Sequence, residues 1–288
     1  MNIPTKKLQN GFEIPEFGIG TWLIGGTKVR NTENNDPADV QTIKTAVDLG
    51  ITLIDTAENY AEGWAEKLIG EAIKGIDRNK LFITSKVSPA HLKHDDLIAA
   101  AKASLERLQT EYLDLYLIHS PNPEIPLKET IQAMDELVAN GLIRSIGVSN
   151  FNTTHLEEAQ SYTKNKVVLN QVFYNLLNRE VEKDLLQYCQ DNDVILEAFR
   201  PLDKGKLLET VPEILLKMAQ KYNKTSAQIA LNWLISQQNV MTISKISQKH
   251  HLEENLGAVG WRMDPEDIEL LRNEFPGKNE NNSDFALR

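Results

Sequence analysis

The chain has 288 residues, 41% of them hydrophobic and 25% charged, the balance of an ordinary soluble α/β domain. A formal net charge of −10 repels phosphate backbones and argues against nucleic acid as a partner, while a small anionic ligand needs only a local cationic pocket. The single cysteine, Cys189, leaves no disulfide within the chain, "MNIPTKKLQNGFEIPEFG" lacks the apolar core of a signal peptide, and no run approaches the roughly 18 apolar residues of a membrane span. A cytoplasmic protein without a membrane partner is expected.

"KLQNGFEI" reads as a β-hairpin turning tightly at Asn10-Gly11. "EFGIGTW" follows as a strand. "GIGTWLIGG" opens like the dinucleotide fingerprint G-x-G-x-x-G, but Leu23 stands where the third glycine belongs and no helix begins there. Gly18 and Gly20 therefore read as turn glycines. "DPADVQTIKTAVDLG" spaces Val40, Ile43, Ala46 and Val47 as a helix does, with Gly50 as its stop. "ITLID" is a strand, and "GWAEKLIGEAIKG" a helix with Leu68, Ile69, Ala72 and Ile73 on one face. "KLFITSK" is a strand, and "HDDLIAAAKASLERLQ" a helix with Leu97, Ala101, Leu105 and Leu108 aligned. Strand and helix then alternate as "YLDLYLIH", "LKETIQAMDELVANG", "IRSIGVS", "TTHLEEAQSYTK", "VVLNQ", "EVEKDLLQYCQDN" and "VILEAF". Helices "VPEILLKMAQKYN" and "SAQIALNWLISQ", the strand "VMTIS" and the helix "DPEDIELLRNEF" close the pattern.

Strand–helix alternation predicts a parallel sheet covered by helices. An open doubly wound sheet and a closed barrel both satisfy it, and the count of eight strands favours the barrel. The expected fold is a single α/β domain over residues 1–288, a (β/α)8 TIM barrel whose N-terminal hairpin caps the floor. The polar tail, 275–288, is expected to be flexible.

A parallel barrel builds its site on the loops after the strands. Asp55, Lys86 and His119 stand at three consecutive strand ends, Ser149-Asn150 and Asn170-Gln171 at the next two, and Tyr60 on the loop after Asp55. Singly, each has a plain explanation: a turn cap, a lysine reaching solvent, a rim histidine, a surface aromatic. Together at one mouth they are harder to dismiss. A lysine ammonium favours the phenolate of a nearby tyrosine, a carboxylate compensates a buried lysine, and a histidine can donate to a carbonyl oxygen. That is an acid aimed at a carbonyl. With no activated serine or cysteine and no H-E-x-x-H motif, the attacking hydride must come from a cofactor. Cys189 reads as a packed thiol, and His91 and His94 as a solvated helix start rather than a metal site.

The blocks "GIGTW", "GITLIDTAENY", "TSKV", "LDLYLIHSP", "GLIRSIGVSNF" and "NQVFYNLLNR" resemble, in order and spacing, those of the aldo-keto reductase family, and the likeness runs from about residue 8 to 272. The resemblance implies a (β/α)8 barrel that binds NADPH and reduces aldehydes and ketones. It implies Tyr60 as general acid, Lys86 as modulator of its pKa, Asp55 as partner of Lys86 and His119 as the group orienting the carbonyl. Gly20 and Thr21 would lie beside the cofactor, and Ser149, Asn150 and Gln171 would hold the nicotinamide carboxamide. Phe199 would stack on the ring where the family has tyrosine, with Arg200 near a phosphate. Lys245 would meet the 2′-phosphate, and Glu254 and Asn255 the adenine. Ile246 stands in place of the family's serine and His251 in place of its arginine, which opens the way to NADH. Trp22, Trp64 and Ser120 would line the substrate pocket, Ser120 replacing a frequent tryptophan, and small aldehydes or sugar-like carbonyls would fit there. A monomer is implied. A cofactor-holding regulatory subunit is the alternative reading, and a Schiff-base lyase using Lys86 a third.

Overall fold

The structure is a computed structural model and describes residues 2–245 and 249–275. Strands β1 (Thr5–Lys7) and β2 (Glu13–Pro15) pair antiparallel. Their connection is not the expected two-residue turn at Asn10-Gly11. Leu8 N–H donates to Phe12 O at 2.9 Å and Gly11 N–H to Leu8 O at 3.0 Å, so Gln9, Asn10 and Gly11 form a three-residue loop. Only Gly11 is left-handed there (φ +88°), because the Asn10 side chain instead accepts from Phe12 N–H at 3.0 Å.

Eight parallel strands close into a barrel in chain order. They are β3 (Phe17–Gly20), β4 (Leu53–Asp55), β5 (Phe82–Val87), β6 (Leu115–Ile118), β7 (Ile146–Ser149), β8 (Val167–Phe173), β9 (Ile195–Phe199) and β10 (Val240–Lys245), with β10 pairing back to β3. Around them lie α1 (Asp36–Asp48), α2 (Trp64–Ala72), α3 (His94–Leu108), α4 (Leu127–Ala139), α5 (Thr153–Ser161) and α6 (Leu185–Asp191). They continue with α7 (Lys206–Glu209), α8 (Glu213–Tyr222), α9 (Ser226–Ile235), α10 (Lys249–Leu256) and α11 (Pro265–Glu274).

Both faces of these strands are apolar because both are covered. Along β6, Leu115 and Leu117 point into the barrel, while Tyr116 and Ile118 face the helices. Leu8 and Ile14 of the hairpin join the inner cluster with Leu53, Leu169, Ile195 and Met241, so the hairpin closes the floor as expected. The stripes expected on α2 and α3 are buried, and α1 buries Ile43 and Ala46 with Val40 and Val47 partly covered. Gly50 (φ +93°) ends that first unit as anticipated.

Gly18 and Gly20 are not turn residues. Both lie within β3, and a Cβ on Gly18 would come within 2.4 Å of the Leu53 side chain. The residue is glycine because β4 packs against it. The helix expected over 180–192 is broken at Asp184 (φ −155°), whose carboxylate caps Leu185 N–H and starts α6. β8 runs on through Phe173, placing Gln171 inside the strand rather than at its end. Cys189 is buried, and burial pushes its thiol up to about 12. Of the tail expected to be flexible, Phe275 is buried and the remainder lies outside the described residues. Among the described residues no helix is long and apolar enough to cross a membrane.

Candidate active site

Asp55 ends β4, Lys86 is the penultimate residue of β5, and His119 directly follows β6. Neighbouring parallel strands thus deliver three ionisable side chains to one mouth. Lys86 Nζ lies 2.6 Å from Asp55 Oδ1, 2.8 Å from the Thr56 carbonyl and 3.4 Å from the Tyr60 hydroxyl. The side chains of Lys86 and Asp55 are only 0% and 2% exposed. A tight turn carries Tyr60 back over this pair. Ala61, Glu62 and Gly63 all have positive φ (50°, 57° and 83°), a costly backbone for the two non-glycine residues. It is held by the loop after β3, where Thr27 O accepts from Ala61 N–H at 2.7 Å and Lys28 O from Glu62 N–H at 3.1 Å. Trp22 and His119 flank the phenol edge to face, with ring centres 5.0 and 5.7 Å away.

Burial drives the proton affinities of these groups. It pushes Lys86 down, but Asp55 and Tyr60 push it up by more, so the ammonium stays charged. Burial draws Asp55 up against the pull of Lys86 and Gln171. Tyr60 is also drawn up by burial; Lys86 opposes this, as expected from its place in the sequence, without reversing it. Burial, with Lys86 and Lys28, lowers His119 to about 3. Its imidazole is therefore neutral, with one nitrogen to donate and one to accept, and its Nδ1 is buried without a partner.

The remaining residues singled out in the sequence fall into distinct groups. Thr21 donates its hydroxyl to the Asp55 carbonyl at 2.9 Å, and Gly20 precedes it at the tip of β3. Ser149 Oγ donates to Gln171 O at 2.9 Å. Asn150, left-handed at φ +62°, donates Nδ2 to His119 O at 3.0 Å and to Ser120 Oγ at 3.2 Å, leaving its buried Oδ1 unpartnered. Phe199, at the tip of β9, stacks on Phe173 with ring centres 5.7 Å apart. Arg200 is left-handed (φ +54°), and its carbonyl accepts from Asn175. Lys245 is exposed at the tip of β10 and His251 is exposed on α10. Glu254 is half-buried; Asn255 is buried and bonds Ser244 Oγ at 2.8 Å. Ile246 lies outside the described residues. Trp64 is engaged with the loop after β3 and the start of α1 instead of the Asp55, Lys86, Tyr60 and His119 tetrad. Its indole N–H donates to Asp36 at 2.8 Å and Arg30 covers its ring at 4.5 Å. His91 bonds Glu58 and His94 bonds Asp95 and Glu136.

A cleft of about 870 Å³ opens beside His119. Lys28, Asn59, Ser88, His91, Ser120 and Asn122 are among its lining residues, and among the described residues prolines are the only aliphatic side chains there. The sequence reading missed Glu58, whose carboxylate accepts from Ser88 N–H and His91, and the polar wall around it. It also missed Glu197, a wholly buried acid within β9. The signal was present: an acid in the otherwise apolar run "VILEAF".

Residues 16–273 match the profile of the Aldo/keto reductase family. The chain is 38% identical to methylglyoxal reductase YeaE of Escherichia coli, over 91% of this chain and 92% of that one. It is 39% identical to glyoxal reductase of Bacillus subtilis, over 93% and 91%. Another relative, 27% identical over 90% of this chain and 94% of its own length, is an NADH-specific methylglyoxal reductase of Escherichia coli. Among solved structures, a thermostable aldo-keto reductase in complex with the inhibitor epalrestat superposes with a TM-score of 0.90 at 47% identity, covering 94% of this chain and 99% of that one. An aldo/keto reductase from Klebsiella pneumoniae in complex with NADP and acetate does so at 0.84 and 34% identity, covering 97% and 98%. With its barrel, its blocks of sequence and these likenesses in agreement, the chain belongs to the aldo/keto reductase family.

Proposed function

We propose that this protein reduces aldehydes or ketones to alcohols, with NADPH as hydride donor, NADH as a possible substitute and Tyr60 as general acid. The observation that carries this reading is the Asp55–Lys86–Tyr60–His119 cluster at the barrel mouth, with Lys86 Nζ 2.6 Å from Asp55 and 3.4 Å from the Tyr60 hydroxyl. The buried, unpartnered Oδ1 of Asn150 suits the amide N–H of a nicotinamide carboxamide. Ser149 and Gln171 lie beside it, Phe199 offers an apolar ring, and Lys245 is an exposed cation fit for a 2′-phosphate. When bound, the nicotinamide supplies a hydride to the carbonyl carbon. Tyr60 gives its proton to the carbonyl oxygen, and the Lys86 ammonium stabilises the phenolate left behind. Neutral His119 offers an N–H to the same oxygen, and Asp55 keeps Lys86 charged and in place.

Polar side chains of the cleft, Asn59, Ser88, Ser120 and Asn122 among them, offer hydrogen bonds that a small hydrophilic carbonyl compound can use and an apolar one cannot. That agrees with relatives named for glyoxal and methylglyoxal. Loss of reduced-nicotinamide absorbance, with NADPH and NADH in separate assays and methylglyoxal, glyceraldehyde and benzaldehyde as substrates, tests the reading. Turnover is expected, fastest with the hydrophilic aldehydes. Tight cofactor binding without turnover on any carbonyl compound would overturn it.

A further inference from the structure

A chain of side chains runs beneath the mouth, and the reaction as proposed leaves its far end unused. Glu197 lies between Ile195 and Phe199 on alternating positions of β9, and it is wholly buried. Gln171, on neighbouring β8, donates its amide nitrogen to Glu197 Oε1 at 2.7 Å and to Asp55 Oδ2 at 2.9 Å. The other oxygen of Asp55 holds Lys86 at 2.6 Å, and Lys86 reaches the Tyr60 hydroxyl at 3.4 Å. Groups from β9, β8, β4, β5 and the loop after β4 are thereby joined end to end. Glu197 Oε2 is buried with no partner. An ionised carboxylate with one oxygen so placed is disfavoured, whereas the neutral acid is tolerated.

We propose that Glu197 is a positioning residue that acts through Gln171 and Asp55 on the proton-donating Tyr60 and governs the alkaline side of the reaction's pH dependence. The inference rests on Tyr60 being the acid. The charged groups facing Glu197 are Asp55 from β4 and Lys86 from β5; β8 presents uncharged Gln171, and β10 presents apolar Met241 and Ile243. Burial and Asp55 draw the Glu197 carboxyl up, against Lys86 and Gln171, to about 8. While Glu197 is neutral, the Asp55–Lys86 pair leaves no net charge beside Tyr60. When Glu197 loses its proton to solvent, one negative charge is added to the cluster. Lys86 and Tyr60 then hold their protons more tightly, and Tyr60 becomes a weaker donor.

The test is the pH dependence of kcat/KM for carbonyl reduction in wild type, Glu197→Gln and Glu197→Asp. Wild type should lose activity near pH 8, by up to about tenfold, the scale of a one-unit change in donor acidity. Glu197→Gln should remove that step, and Glu197→Asp should restore one at a shifted pH. A purely structural role would lower rates without moving the profile. The same step in Glu197→Gln, or no step in wild type, would overturn the inference. If Glu197→Gln does not fold, the infrared band of a protonated carboxyl group in wild type decides. Its presence at pH 7 and loss on alkalinisation support the inference, and its absence at pH 7 overturns it. An active Tyr60→Phe would fail the proposed function itself. A Tyr60-dependent enzyme whose profile ignores Glu197 would fail this inference alone.

Discussion

Lys86 has no exposed side-chain surface, yet it is the residue on which the mouth is built. Its ammonium persists there because Asp55 and the Thr56 carbonyl both accept from it. Replacing it with methionine leaves the Asp55 carboxylate buried and uncompensated, which should cost about 3–5 kcal/mol. Urea denaturation at pH 7 measures this, and Asp55→Asn in the same chain should recover most of the loss. Because burial draws Asp55 up, the deficit of Lys86→Met should shrink as pH falls and the carboxyl takes a proton. His119 gives a second pH test. Held near 3, it does not titrate in the folded enzyme around 6.5. kcat/KM should therefore be flat from about pH 5.5 to 7, the range in which an ordinary histidine titrates. The unfolded chain, by contrast, protonates His119 below about 6.5, so its contribution to stability is lost as pH falls from there toward 3. A rate step near pH 6.5 would show that the imidazole is not neutral. The tetrad was legible because Asp55, Lys86 and His119 each sit where an apolar strand ends. Glu197 was not, because its partner Gln171 stands on another strand and the two meet only when β8 and β9 pair in register.

At the scale of elements, periodicity located α1 to α4 because each has an apolar stripe. α10 was missed because only Leu252 and Leu256 of its eight residues are apolar and the rest offers no such stripe. The break before α6 was hidden because Asp184 caps a helix in the middle of a continuous helical pattern. Gly18 was misread because a glycine serving a close approach has the same letter as one serving a turn. A Cβ there would meet Leu53 Cγ at 2.4 Å and Leu53 Cβ at 2.9 Å. Gly18→Ala should therefore destabilise the β3–β4 pair by about 1–3 kcal/mol. A double-mutant cycle with Leu53→Ala should return a coupling of about 0.5–3 kcal/mol, since the two residues share one space. A cycle that closes additively would show that β4 shifts freely.

For the whole molecule, alternation and a count of eight strands were enough to favour closure, and the hairpin was legible as the floor, with Leu8 and Ile14 packed into the barrel interior. Its turn was less legible, since "NG" favours a two-residue turn while the Asn10 side chain stabilises a longer one. Substrate preference was the least readable, because the cleft draws its wall from loops after five different strands, those carrying Lys28, Asn59, Ser88, Ser120 and Asn150. The claim that joins these scales is that the pairing of β4 with β5 and the turn after β4 bring Tyr60 onto Lys86 as a proton donor. Its most direct test is Tyr60→Phe, assayed for kcat with NADPH alongside cofactor binding by nicotinamide fluorescence. The phenyl ring keeps its contacts with Trp22 and His119, so binding should be retained while kcat falls by about 10²–10⁴. Turnover within a few-fold of wild type would contradict the account.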